Sequence, residues 1–153
     1  MSSRTRWTVV ALALAGAAAF ALSVQAGRWW SIDDCEIGPF GSRNCIAGMA
    51  SGLAWIGGST TWMRTGVATW AGGMIAMLVL LVVAAATASG RVSRLAAKTS
   101  LVAIASATVA AVAFVAGWPG VEGAHLDRGG VVFAIGDVLG AAAAILVLKS
   151  ARR

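Results

Sequence analysis

Residues 7–26 read "WTVVALALAGAAAFALSVQA", without a single charge, and whether this stretch stays in the protein decides between four membrane spans and three. A helix rises about 1.5 Å per residue, so roughly 20 apolar residues cross the hydrocarbon core of a bilayer. Arg4 and Arg6 in front of the stretch, and the small residues around "VQA" before Gly27, also fit a cleavable leader. A leader core usually has about 7 to 15 apolar residues, fewer than this run, so a retained first span is expected.

The rest of the chain supports the membrane reading. Its 153 residues are 59% hydrophobic and 12% charged, with a mean hydropathy of +0.83, well beyond an ordinary soluble domain. Three further spans follow, at residues 66–88, 99–118 and 130–148. The third ends at "GWPG", where Pro119 stops the helix, and the fourth ends at Lys149. Short gaps make consecutive helices antiparallel neighbours. The expected fold is an all-α membrane protein: one membrane domain over 1–153, a four-helix transmembrane bundle with external loops at 27–65 and 119–129 and a cytoplasmic loop at 89–98.

The formal charge of +6 sorts by position. Arg4, Arg6, Arg91, Arg94, Lys98, Lys149, Arg152 and Arg153 fall on one side of the four-span arrangement. Arg28, Arg43, Arg64 and Arg128 fall on the other, together with Asp33, Asp34, Glu36, Glu122 and Asp127. The positive-inside rule puts both termini in the cytoplasm of a cell-membrane protein. Arg91, Arg94 and Lys98 then set topology or touch anionic lipid headgroups, and nucleic acid is not an expected partner.

The long external loop opens with "GRWWSIDDCEIGPFGSRNC", residues 27–45. Cys35 and Cys45 are the only cysteines and lie on the side where oxidation is expected, so a disulfide is favoured over two free thiols. Turns at Gly38, Pro39 and Gly41 make the closure accessible, and it contributes about 2–4 kcal/mol by restricting the unfolded chain. Trp29 and Trp30 suit an interfacial belt, with Trp55 and Trp62 placed to do the same near the second span. Residues 46–63 are too broken by glycine for a span and suit either a short interfacial helix or part of a small sheet lying on the bundle.

Trp30, Cys35 and Cys45 in a long first external loop, followed by Arg64 at the outer start of the second span, resemble the pattern of the claudin and peripheral-myelin-protein tetraspan superfamily. Four residues separate Trp30 from Cys35 where that family usually has two, and its Gly-Leu-Trp context is missing. The resemblance implies that Trp30 and the cysteine pair brace an external sheet and that Arg64 supports the loop. It also implies lateral assembly and contact roles.

Asp137 is the one acid inside a span, about seven residues and roughly 10 Å from its outer end. A carboxylate there has to be protonated, accept hydrogen bonds from Thr69 or Thr108, or meet the guanidinium of Arg64. It lies in "GDVLG", where Gly136 and Gly140 have the small-x3-small spacing of close helix packing. Structural use is expected ahead of ion or proton transport, since no second intramembrane acid forms a relay. Asp33, Asp34, Glu36, Glu122, His125 and Asp127 are oxygen and nitrogen donors that could meet if the two external loops converge. Their dispersion better suits a wet surface, and no metal or other cofactor is expected. His125 lacks a partnered serine or cysteine, and no glycine-rich phosphate loop follows a strand. The expectation is a non-enzymatic structural or interaction module. It acts through its first external loop and lateral helix packing, with the lipid bilayer, further copies of itself or another membrane protein as partners. The competing expectation is a small transporter or channel subunit using Asp137.

Overall fold

Serine hydroxyls open three of the four long helices. Ser2 accepts from the Thr5 N–H, Ser59 from Trp62 and Ser93 from Ala96, each satisfying a backbone donor that a first helical turn leaves unpaired. The computed structural model describes residues 1–45, 59–91, 93–120 and 122–151. Its helices are α1 (Ser3–Gln25), α2 (Thr60–Ala88), α3 (Arg94–Ala116) and α4 (Gly129–Ser150). All four are long and apolar enough to cross a bilayer. At 29 residues, α2 is roughly 44 Å long, more than the roughly 30 Å hydrocarbon core needs.

Each helix is longer than the apolar run that marked it. α2 begins at Thr60 rather than Gly66, and α3 at Arg94 rather than Thr99, because the Ser59 and Ser93 caps let polar first turns continue the helix beyond the apolar segment. The expected loops at 27–65 and 89–98 shorten accordingly. Of residues 46–63, 46–58 lie outside the described residues, while Thr60 to Met63 belong to α2.

The buried positions alternate in steps of four and three. On α2 they include Trp62, Gly66, Thr69, Gly73, Ala76, Leu80, Val83 and Thr87. On α3 they are Ala97, Ser100, Ile104, Ala107, Ala111 and Phe114, and on α4 Phe133, Gly136, Gly140, Ala143 and Val147 continue the pattern. A 3.5-residue period is that of left-handed supercoiled bundles. α1 packs on α2 and α4, and α3 closes the ring against the same two helices.

Small residues set the helix spacing. A Cβ on Gly16 of α1 would stand 3.0 Å from the Gly140 nitrogen of α4, and one on Gly72 of α2 would stand 3.0 Å from the Ala107 Cα of α3. In lipid, where neighbouring tails are as apolar as the helices, this close approach is a main source of association. Two buried hydroxyls are satisfied within their own helices, Thr69 donating to the Thr65 carbonyl and Ser100 to that of Ala97.

The connections at one end of the bundle form a four-stranded antiparallel sheet of order β3-β2-β1-β4. Its strands are β1 (Trp30–Ile32), β2 (Cys35–Gly38), β3 (Gly41–Arg43) and β4 (His125–Leu126). Asp33, at φ 49°, makes the tight β1–β2 turn, a conformation that aspartate tolerates better than most residues. A disulfide joins Cys35, at the start of β2, to Cys45, just past β3. The fourth strand comes from the connection between α3 and α4, within the external loop expected at 119–129.

Candidate functional site

The sheet has two distinct faces, because successive residues of a strand point to opposite sides. Trp30 pairs with Ile37 on one side and Leu126 on the other, and Ile37 pairs with Ser42, so these four share the inner face. His125, Ser31, Glu36 and Arg43 occupy the alternate register positions and form a polar row across all four strands on the outer face.

The inner face is keyed into the bundle by aromatic rings. Trp29 is 2% exposed, Trp30 4% and Trp62 3%. Trp30 stacks on Trp118 with centroids 4.3 Å apart and meets Phe114 edge-on at 5.1 Å. Trp62 stacks on Phe114 at 5.1 Å and donates its indole N–H to the Phe114 carbonyl at 2.9 Å. Trp29 meets Phe114 and Phe133, each at 5.6 Å, and its N–H reaches both the carbonyl and the hydroxyl of Ser23 at 3.2 Å.

The belt reading of Trp29, Trp30 and Trp62 is therefore corrected: they are core residues. The sheet lies over the bundle end, and the rings pack between it and the helices. The indole N–H groups of Trp29 and Trp62 find protein carbonyls, which makes their burial tolerable. Trp55 lies outside the described residues. Trp7, at the opposite end of the bundle and 55% exposed under the Arg6 guanidinium, has the environment expected of a belt residue.

Arg28 ties the two connections together. Its Nε lies 2.7 Å from Asp127 Oδ2, and its Nη1 lies 3.8 Å from Glu36 Oε1. Backbone bonds run beside these pairs, Asp127 N–H to the Trp29 carbonyl and Gly129 N–H to the Arg28 carbonyl, each at 2.8 Å. The second anchors the start of α4, which has no side-chain cap. On the other side of that turn, Ser23 donates to the Gly129 carbonyl at 2.7 Å.

Arg64 is exposed on the first turns of α2 and makes no ion pair or hydrogen bond among the described residues. Asp33 and Asp34 are exposed at the β1–β2 turn, His125 is exposed on β4, and Glu122 is also exposed. Among the described residues, no three His, Cys, Asp or Glu side chains are grouped as metal ligands. Asp127 and Glu36 instead share Arg28.

Asp137 faces α3, where the Thr108 hydroxyl lies 3.1 Å from its Oδ1. Of the three partners considered for it, Thr108 is the one in contact. Thr69 donates to its own helix, and Arg64 is exposed with no ion pair among the described residues. Asp137 and Thr108 sit at the deep end of a groove of about 520 Å³ between α3 and α4, with Leu126 and Asp127 at the sheet end. Gly136 and Gly140 are buried on α4: a Cβ on Gly136 would stand 3.3 Å from Phe20, and one on Gly140 2.9 Å from Leu80 and Ile104. The two glycines thus serve packing within one chain.

Sequence reasoning missed β4, the Arg28 bridge and the roles of Phe114, Trp118 and Phe133. A signal for the ring cluster was available. Trp29, Trp30, Trp62, Phe114, Trp118 and Phe133 all fall near the same end of their spans in an up-down bundle. Such a concentration at one end suits a packed lid as well as it suits a belt. No family model matches the chain, and no curated protein or solved structure matches it either.

Proposed function

We propose that this protein is a membrane interaction module that presents the outer face of its sheet, the row His125, Ser31, Glu36 and Arg43, to a partner on the extracytoplasmic side. The observation that carries this reading is the construction of the platform. Two separate connections form one sheet, a disulfide closes it, and buried tryptophans hold it against the helices. Holding a surface rigid before binding lowers the ordering cost that association otherwise incurs. The first-loop Trp30, Cys35, Cys45 and Arg64 pattern of the claudin and peripheral-myelin-protein superfamily adds support, as does the general tetraspan architecture. Lateral assembly through the helix faces belongs to the same reading.

Placing the sheet outside rests on the excess of Lys and Arg at the other end of the bundle. In intact cells, a membrane-impermeant maleimide is expected to label Cys35 and Cys45 only after an external reductant is added. Labelling without reductant would contradict the disulfide. No labelling after reduction of a denatured-control-competent sample would place the sheet on the cytoplasmic side.

The partner claim has its own test. A photoreactive amino acid at Asp34 or His125 is expected to yield a discrete higher-mass adduct on irradiation of intact cells, while one at lipid-facing Val82 yields none. Identical adduct patterns at all three positions would remove the platform from consideration. The transporter reading makes the opposite forecast. There, Asp137→Asn abolishes an ion-dependent phenotype at unchanged membrane abundance, and the sheet positions are silent.

A further inference from the structure

The groove between α3 and α4 plays no part in the sheet reading and has features of its own. Its volume, about 520 Å³, falls within the roughly 300–1,000 Å³ of small-molecule sites, and such sites pair apolar walls with a few placed polar groups. Ala111, Val112, Val115 and Val131 line it, and the buried Trp29 and Phe133 border it. Among the described residues two carboxylates, Asp127 and Asp137, line the groove and no lysine or arginine does.

The two acids differ in how they are satisfied. Asp127 has Arg28 at 2.7 Å, so its charge is matched. Among the described residues Asp137 has the Thr108 hydroxyl as its partner, and that hydroxyl has one proton for two acceptors, Asp137 Oδ1 at 3.1 Å and the Ile104 carbonyl at 2.8 Å. Asp137 stands eight residues into α4, roughly 12 Å along its axis. A carboxylate at that depth gains most from a cation that brings its own donors, because an unmatched anion in an apolar wall is costly.

We propose that this groove binds lipophilic amines that partition into the bilayer, the protonated nitrogen donating to Asp137 and the apolar body lying against Val112, Val115 and Val131. The carboxylate of Asp137 in an otherwise apolar lining favours a cationic ligand over an apolar partner helix. The inference is independent of the role of the sheet.

The test uses the full-length protein in detergent micelles, titrated with bromonaphthylmethylamine and, separately, with the matching bromonaphthylmethanol. Bromine quenches tryptophan fluorescence, and Trp29 lines the groove. The amine is expected to bind saturably and about tenfold or more tighter than the alcohol, the size of effect that a charge-assisted hydrogen bond supplies. Asp137→Asn should reduce that preference to near unity, and Ala134→Phe, which fills the groove, should abolish saturable quenching by both compounds. Thr108→Val, which leaves the carboxylate without its neutral donor, should keep or raise the preference, so the proposal stays testable even if the Asp137 variant fails to fold. Equal affinities in the unaltered protein, or a preference that survives Asp137→Asn, would overturn the proposal. So would disulfide crosslinking of Val131→Cys between two copies, which would make the groove an interface with a second chain.

Discussion

Gly16→Leu is expected to separate α1 from α4 and to cost at least about 3 kcal/mol, the upper range for overpacking a well-filled core. Because a Cβ there already meets the Gly140 nitrogen at 3.0 Å and its Cα at 3.3 Å, the obstruction is backbone, and no rotamer change relieves it. Gly140→Ala is expected to cost less, since its Cβ meets the Leu80 and Ile104 Cδ1 atoms at 2.9 Å, the ends of side chains that can turn aside. Gly136→Leu should fall near Gly16→Leu, because its Cβ meets both the Phe20 ring and its backbone nitrogen at 3.3 Å. Thermal unfolding of the purified protein, read alongside its oligomer distribution, checks the order. If Gly16→Leu and Gly136→Leu leave the unfolding temperature unchanged and alter only the oligomers, the small residues pack between chains rather than within one.

Trp29→Ala carries the second large effect. Trp29 touches Trp30, Phe114 and Phe133 and sends its indole N–H to Ser23, whose hydroxyl in turn secures the Gly129 carbonyl at the start of α4. Removing the ring leaves a cavity where α1, the sheet and α4 meet. The expected cost is about 3–5 kcal/mol, or a fall of roughly 10 °C in unfolding temperature for a chain of this size. Trp29→Phe keeps most of the contact area and loses the donor, so about 1 kcal/mol is expected. Trp7→Ala, at an exposed site, should shift the temperature little. A Trp29→Ala protein that melts with the Trp7→Ala protein would mean that the ring cluster does not hold the sheet to the helices.

These two sites differ in how visible they were beforehand. Gly136 and Gly140 were legible because small-x3-small spacing within an apolar run has one common use, close helix approach. Gly16 was not singled out, since "LAGAAAFA" offers several small residues and only the neighbouring helix selects among them. Asp137 was legible as an anomaly, and Thr108 was one of its named partners. Choosing Thr108 over Thr69 required knowing which face of α2 and α3 turns toward α4. The tryptophans were visible as a group, yet their burial depended on a sheet that no local pattern announced.

The sequence by itself determined the four apolar spans, the side of the bundle that collects the cysteines, and their pairing. These follow from span length, charge placement and the presence of only two thiols, none of which needs a contact map. Tertiary structure alone decided which face of each helix is buried. Lipid-facing and core-facing positions are both apolar in a membrane, so hydrophobic periodicity vanishes and only the size of the side chains distinguishes Gly140 from Val138. Tertiary structure also decided that His125 and Leu126 form a fourth strand. Two residues carry too little propensity to announce a strand, and β4 exists because the exposed edge of β1 supplies the backbone partners it requires.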